Sequence, residues 1–92
     1  MSIEKVIKEK QGTIVDVRTS AEYMDGHAAG SINIPMNEIP MRIDEFKNLK
    51  TPVVLCCASG GRSGQTYQYL KEHGVECLDA GSWLNVNNII CN

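Results

Sequence analysis

Along the 92-residue chain the apolar positions change period several times, and each change predicts a new element. Ile3, Val6 and Ile7 fall on one helical face; Ser2 can cap that helix and Gly12 can end it. Thr13-Ile14-Val15-Asp16-Val17 is a short apolar run suited to a buried strand. Thr19 followed by Glu22 forms a capping-box pair, predicting a short helix that Gly26 stops. Ser31-Ile32-Asn33-Ile34 reads as a strand closed by Pro35, with a short helix around Met41 to Phe46. Val53-Val54-Leu55-Cys56 is apolar without alternation, the pattern of a strand covered on both faces. A helix from about Ser63 to His73 follows, stopped by Gly74, and Val75 to Leu78 predict one more strand.

Strands alternating with helices predict an α/β fold with a mainly parallel sheet covered on both sides. Ligands of such sheets bind in the loops at the carboxyl ends of the strands. No internal repeat, linker or low-complexity stretch divides the chain, so residues 1–92 are expected to form a single domain.

One segment in this pattern carries chemistry. Cys57-Ala58-Ser59-Gly60-Gly61-Arg62-Ser63 lies between the most apolar strand and a helix. Two glycines and small neighbours let the backbone curl so that successive N–H groups converge into an anion-binding nest. The following helix adds unpaired N–H groups and the positive end of its dipole. A cysteine at that focus has a depressed thiol pKa, and the same donors stabilise a persulfide or a sulfur-oxyanion leaving group. Ser59 and Ser63 can add hydroxyl donors; Ser63 alternatively caps the helix.

Composition narrows the function without naming it. Nine Lys and Arg against 11 Asp and Glu leave a net charge of −2, with no broad basic surface for nucleic acid and no polybasic membrane patch. No window approaches the roughly 18 consecutive apolar residues of a membrane span. Met1-Ser2-Ile3-Glu4-Lys5 is charged where a secretory signal needs an apolar core, so a cytoplasmic location is expected. A monomer is expected separately. Four cysteines, at 56, 57, 77 and 91, show no C-x-x-C spacing, and adjacent Cys56 and Cys57 point to opposite faces of a strand. Neither a metal nor an organic cofactor is expected.

The motifs resemble those of the rhodanese family along almost the whole chain. Asp16-Val17-Arg18, Glu22-Tyr23, Gly26-His27-Ala28-Ala29-Gly30-Ser31 and Asn33-Ile34-Pro35 are similar to its first signature. Cys57 to Ser63 matches its active loop, C-x-x-G-x-R-S. The resemblance implies a rhodanese-like α/β domain with a four- to five-stranded sheet. It also implies that Cys57 is the persulfide-forming nucleophile, with Ala58, Ser59, Gly60, Gly61, Arg62 and Ser63 as the substrate-binding loop. Against the family pattern, the sequence begins close to its first helix, and the short leading strand common in the family is expected to be missing. Residues 78–83 only approximate a Gly-Gly-Trp ending, and the tail Asn85 to Asn92 lacks a second tryptophan and a closing helix.

Other residues read as support. Cys56 continues the core run, and Cys77 and Cys91 lack an electropositive setting. Arg62 is expected to brace the loop on carbonyls or acidic groups, and Arg18 with Glu22, four apart, to form an ion pair. His27 ties loop backbone groups, His73 is solvated, and Trp83 packs at the rim. The expected reaction is transfer of sulfane sulfur from thiosulfate or a persulfide to a thiol, including a protein thiol, or to cyanide. Two rivals remain. Five residues separate Cys56 from Arg62, a phosphatase or arsenate-reductase spacing, against four from Cys57. A non-enzymatic sulfur-carrier or interaction module is the other.

Overall fold

The computed structural model describes residues 2–92; Met1, the first residue of the expected domain, lies outside them. Helix α1 (Ile3–Lys8) takes its N-cap from Ser2, whose hydroxyl accepts from the Lys5 N–H. Its end differs from expectation: the chain turns at Glu9 and Lys10, and Lys10 adopts the positive φ of 52°. Gly12 serves another purpose, since a Cβ there would stand 2.0 Å from the Pro52 carbonyl oxygen. The glycine lets β1 begin tight against the chain entering β3.

Strands β1 (Thr13–Asp16), β2 (Ile32–Asn33), β3 (Val53–Cys57) and β4 (Cys77–Ser82) form one all-parallel sheet in the order β2-β1-β3-β4. Between them run α2 (Ser20–Asp25), a 3-10 segment (Met36–Arg42), α3 (Ile43–Asn48) and α4 (Gly61–Glu72); α5 (Trp83–Cys91) closes the chain. The capping box of Thr19 and Glu22 forms as predicted at the start of α2. Every residue of β3 is buried, as the unalternating apolar run requires. Val53, Leu55 and Cys57 face a layer with Phe46 and Leu70 from α3 and α4, while Val54 and Cys56 face Val6, Val86 and Ile89 from α1 and α5. Helices thus cover both faces of the sheet.

Two expectations at the carboxyl end are corrected. The last strand runs Cys77–Ser82 rather than Val75 to Leu78, because the edge of β3 supplies a ladder for Cys77, Leu78, Asp79 and Ser82, with Ala80 and Gly81 bulging between the last two pairs. The supposed polar tail is the helix α5, capped by the Ser82 hydroxyl. Its asparagines hid an apolar face: Trp83, Val86, Ile89 and Ile90 recur at helical spacing and pack on the layer with α1. No helix among the described residues is long and apolar enough to cross a membrane.

Candidate active site

The site grows from the end of β3. Cys56 and Cys57 point to opposite sheet faces, so only one of them reaches the loop that follows. Gly60 takes φ 102° and ψ −17°, a left-handed conformation that costs glycine little, and α4 starts immediately after it. The helix therefore begins two residues before the expected Ser63, which is inside its first turn and is not its cap. This curl aims donors at Cys57 Sγ: the Gly60 N–H at 2.9 Å and the Ser63 N–H at 3.4 Å.

Ser63 Oγ completes the cradle. The Cys57 thiol can donate to it across 3.4 Å, while the hydroxyl donates to the Gly60 carbonyl at 3.1 Å. When the thiol ionises, that hydroxyl proton can turn to the sulfur, because the Gly60 carbonyl still accepts from the Gly64 N–H at 2.9 Å. Cys57 is only 1% exposed and shares its layer with Val17, Leu55 and Leu70. Burial pushes its thiol up, but hydrogen bonds from the Ser63 hydroxyl and the Ser63, Gly60 and Ser59 amides outweigh that, leaving it below the ordinary value. The loop can hold negatively charged sulfur. Ala58, Ser59 and Gly61 lie exposed around it.

Cys56 has the opposite surroundings. Burial, and then the negative charge of Asp16, push its thiol up to about 12. Among the described residues no loop amide donates to its sulfur, which packs with Val6, Val54 and Val86 on the sheet face away from the loop, so the longer spacing from Cys56 to Arg62 encloses no anion cradle.

The expected pairing of Arg18 with Glu22 is replaced by two other pairs. Arg18 precedes α2, outside the helical geometry that brings residues four apart together. Its guanidinium folds back on buried Asp16, with the closest contact at 2.7 Å, donates to the Gly26 carbonyl at 2.7 Å, and lies 4.8 Å over the Trp83 ring. Glu22 receives Arg62 instead as a two-point fork of 2.7 and 3.0 Å. The same carboxylate accepts from the Thr19 N–H and hydroxyl, so the cap of α2 anchors the end of the sulfur loop. Hydrogen bonds from Arg62, then Thr19, hold the Glu22 carboxyl at about 2.

The far wall comes from β4. Between Leu55↔Asp79 and Cys57↔Ser82 the register slips by one residue, a bulge in β4 where Gly81 has φ 74°. The bulge sets Gly81 against Gly60, with its Cα 3.8 Å from where a Gly60 Cβ would be. Asp79 stabilises the turn by accepting from the Gly81 N–H at 3.1 Å. Sequence reasoning did not single out Asp79 and Gly81; their Asx-turn spacing, aspartate followed two residues later by glycine, was the available signal. Trp83 packs beside Gly26 at the rim. His27 stacks on Tyr23 and bonds its carbonyl at 2.7 Å, and His73 repeats this on Tyr69, so both rings cap helix ends. Cys77 pairs with Val53 at the opposite end of β3 from Cys57, and its thiol is raised by burial. Among the described residues no cluster of three or more His, Cys, Asp or Glu could hold a metal.

A sequence-family model for the rhodanese-like domain matches residues 2–85. The chain belongs to the rhodanese-like domain family. Among its rhodanese-like relatives, a protein of Allochromatium vinosum named sulfurtransferase is 39% identical over 66% of this chain and 56% of its own length. Thiosulfate sulfurtransferase PspE of Escherichia coli is 38% identical over 65% of this chain and 59% of its own. The crystal structure of SSP1007 from Staphylococcus saprophyticus superposes with a TM-score of 0.71 at 36% identity, covering 84% of this chain and 76% of that one. The chain thus spans little more than half the length of these two sequence relatives.

Proposed function

We propose that the chain is a sulfurtransferase that carries sulfane sulfur on Cys57. The observation that carries this reading is the convergence of the Gly60 and Ser63 N–H groups on Cys57 Sγ. The Cys57 thiolate attacks the outer sulfur of thiosulfate or a persulfide; the donor's S–S bond breaks and sulfite or a thiolate leaves with its electron pair. The loop amides then hold Cys57–S–S⁻ as they held the thiolate. An acceptor thiolate, on a small molecule or a protein, or cyanide attacks the outer sulfur and returns Cys57 to the thiolate. Ping-pong kinetics follow, and no step calls for a cofactor.

Relatives named as sulfurtransferases support the reaction class. Four cysteines without a disulfide fit the reducing cytosol, where this rhodanese-like unit is proposed to work. Intact mass after treatment with thiosulfate or cysteine persulfide tests the reading. One added sulfur atom, absent from Cys57→Ser, is expected; unchanged sulfur loading in Cys57→Ser would overturn the assignment.

A further inference from the structure

The sheet carries a second hollow, at the end away from the sulfur loop. Gly12 and Thr13 stand in its wall; Thr13 pairs with Val53, the first residue of β3, whereas Cys57 is the last. The volume is about 510 Å³, within the range of sites that hold small molecules.

The floor is apolar, made by Val6 and Ile7 of α1, Ile14 of β1, Val54 of β3 and Ile90 of α5. Topology leaves it open. Strand β2 is two residues long and pairs with β1 only from Val15 onward, so the start of β1 has no strand on that side. Ile14, one residue earlier, stays partly exposed.

The rim carries charge of one sign. Lys8 and Lys10 line it, and no aspartate or glutamate does. Every ion pair among the described residues uses an arginine, so neither ammonium group has a carboxylate partner. Glu9, the acid nearest in sequence, accepts from the Gln11 amide instead. A third cation stands beside them, with Lys50 Nζ 3.1 Å from the Lys10 carbonyl. The half-buried Gly12 N–H has no acceptor among the described residues and is a further donor in the same wall. Asn92 completes the rim, and no ion pair ties it to either lysine.

An apolar floor beneath uncompensated cations matches a hydrocarbon chain that ends in an anionic group. The chain covers the floor, and the head meets the lysines and the Gly12 amide. A neutral chain leaves the cations unused, and a cationic one is repelled. We infer that this cavity binds a small amphipathic anion, an unbranched carboxylate of medium chain length. The site is separate from Cys57 and does not depend on the sulfur-transfer reading.

Octanoate is the probe, titrated into the ¹⁵N-labelled chain while amide shifts are followed. Saturable shifts of Gly12, Ile14 and Gly30 are expected, with the Gly60 and Ser63 amides unmoved. Octanoate is expected to bind roughly tenfold tighter than hexanoate, because two further CH₂ groups leave water. Octylamine is expected to bind far more weakly. Lys8→Gln and Lys10→Gln, both at exposed positions, should each weaken octanoate roughly two- to fivefold and leave octanol unchanged. No saturable shift of these amides at about 1 mM octanoate overturns the inference, as does octylamine binding equal to octanoate. A dimer whose interface covers these amides, undisturbed by octanoate, overturns it in favour of a second copy of the chain.

Discussion

Arg62 and Glu22 meet through two parallel hydrogen bonds across forty residues of chain, joining the end of the sulfur loop to the cap of α2. Both side chains are about one-third exposed, at 34% and 37%, so the pair acts through geometry more than through net stability. Glu22→Gln keeps a capping-box residue at its position but loses the charged fork. Sulfur transfer is expected to fall about tenfold while the thermal midpoint changes little, since the affected pair is surface-exposed. Arg62→Lys, which lacks the planar fork, is expected to match that loss. A double-mutant cycle of Glu22→Gln with Arg62→Gln checks the coupling: additive losses in rate would show that the two residues act separately.

The two adjacent cysteines predict opposite titrations. Cys57 is held below the ordinary thiol value and Cys56 at about 12. Thiolate ultraviolet absorbance is expected to show a step below the unfolded-chain midpoint, and Cys57→Ser should remove it while Cys56→Ser leaves it in place. The loading rate rises with pH through that step and then levels. Because the folded pKa of Cys57 is depressed, its ionisation stabilises the fold fully above the unfolded thiol pKa, and that contribution is lost as pH falls through the folded value.

Ser63 bridges the sulfur and the Gly60 carbonyl, so its hydroxyl has a role that its backbone N–H does not share. Ser63→Ala retains the N–H and the Gly64 bond to the same carbonyl. The Cys57 midpoint is expected to move up, and loading below it to slow by about tenfold, equivalent to roughly 1.4 kcal/mol. Above the shifted midpoint the loading rate should recover most of the way. A uniform loss across the pH range would mean that the hydroxyl acts on something other than the thiolate.

Two glycines separate crowding from backbone strain. Gly12→Ala drives a methyl group to within 2.0 Å of the Pro52 carbonyl oxygen, so β1 or the segment entering β3 must shift. A loss of about 2 kcal/mol or more is expected in denaturant unfolding. Gly30 meets nothing within 4 Å but has φ 80°. Gly30→Ala is expected to cost about 1–2 kcal/mol, from the left-handed backbone alone. Equal effects at the two positions would contradict this distinction.

Much of the site was legible because its cause is local. The unalternating run Val53 to Cys56, the glycines of residues 60 and 61 and the Thr19–Glu22 cap act over a few residues, and backbone sterics and short-range hydrogen bonds decide them. The direction of Cys57 away from Cys56 follows from strand geometry in the same way. Reading α4 from Ser63 was late by two residues because a left-handed Gly60 can itself open the helix.

What the sequence by itself determined is therefore the order of elements, the strand that ends at Cys57 and the loop chemistry that follows it. Only the tertiary structure decided which acid each arginine takes, how far β4 extends and that the asparagine-rich tail is a helix. The physical reason is distance along the chain. Arg62 finds Glu22, β4 finds the edge of β3, and α5 finds α1 only after folding, when surfaces far apart in sequence bury apolar area and satisfy each other's polar groups.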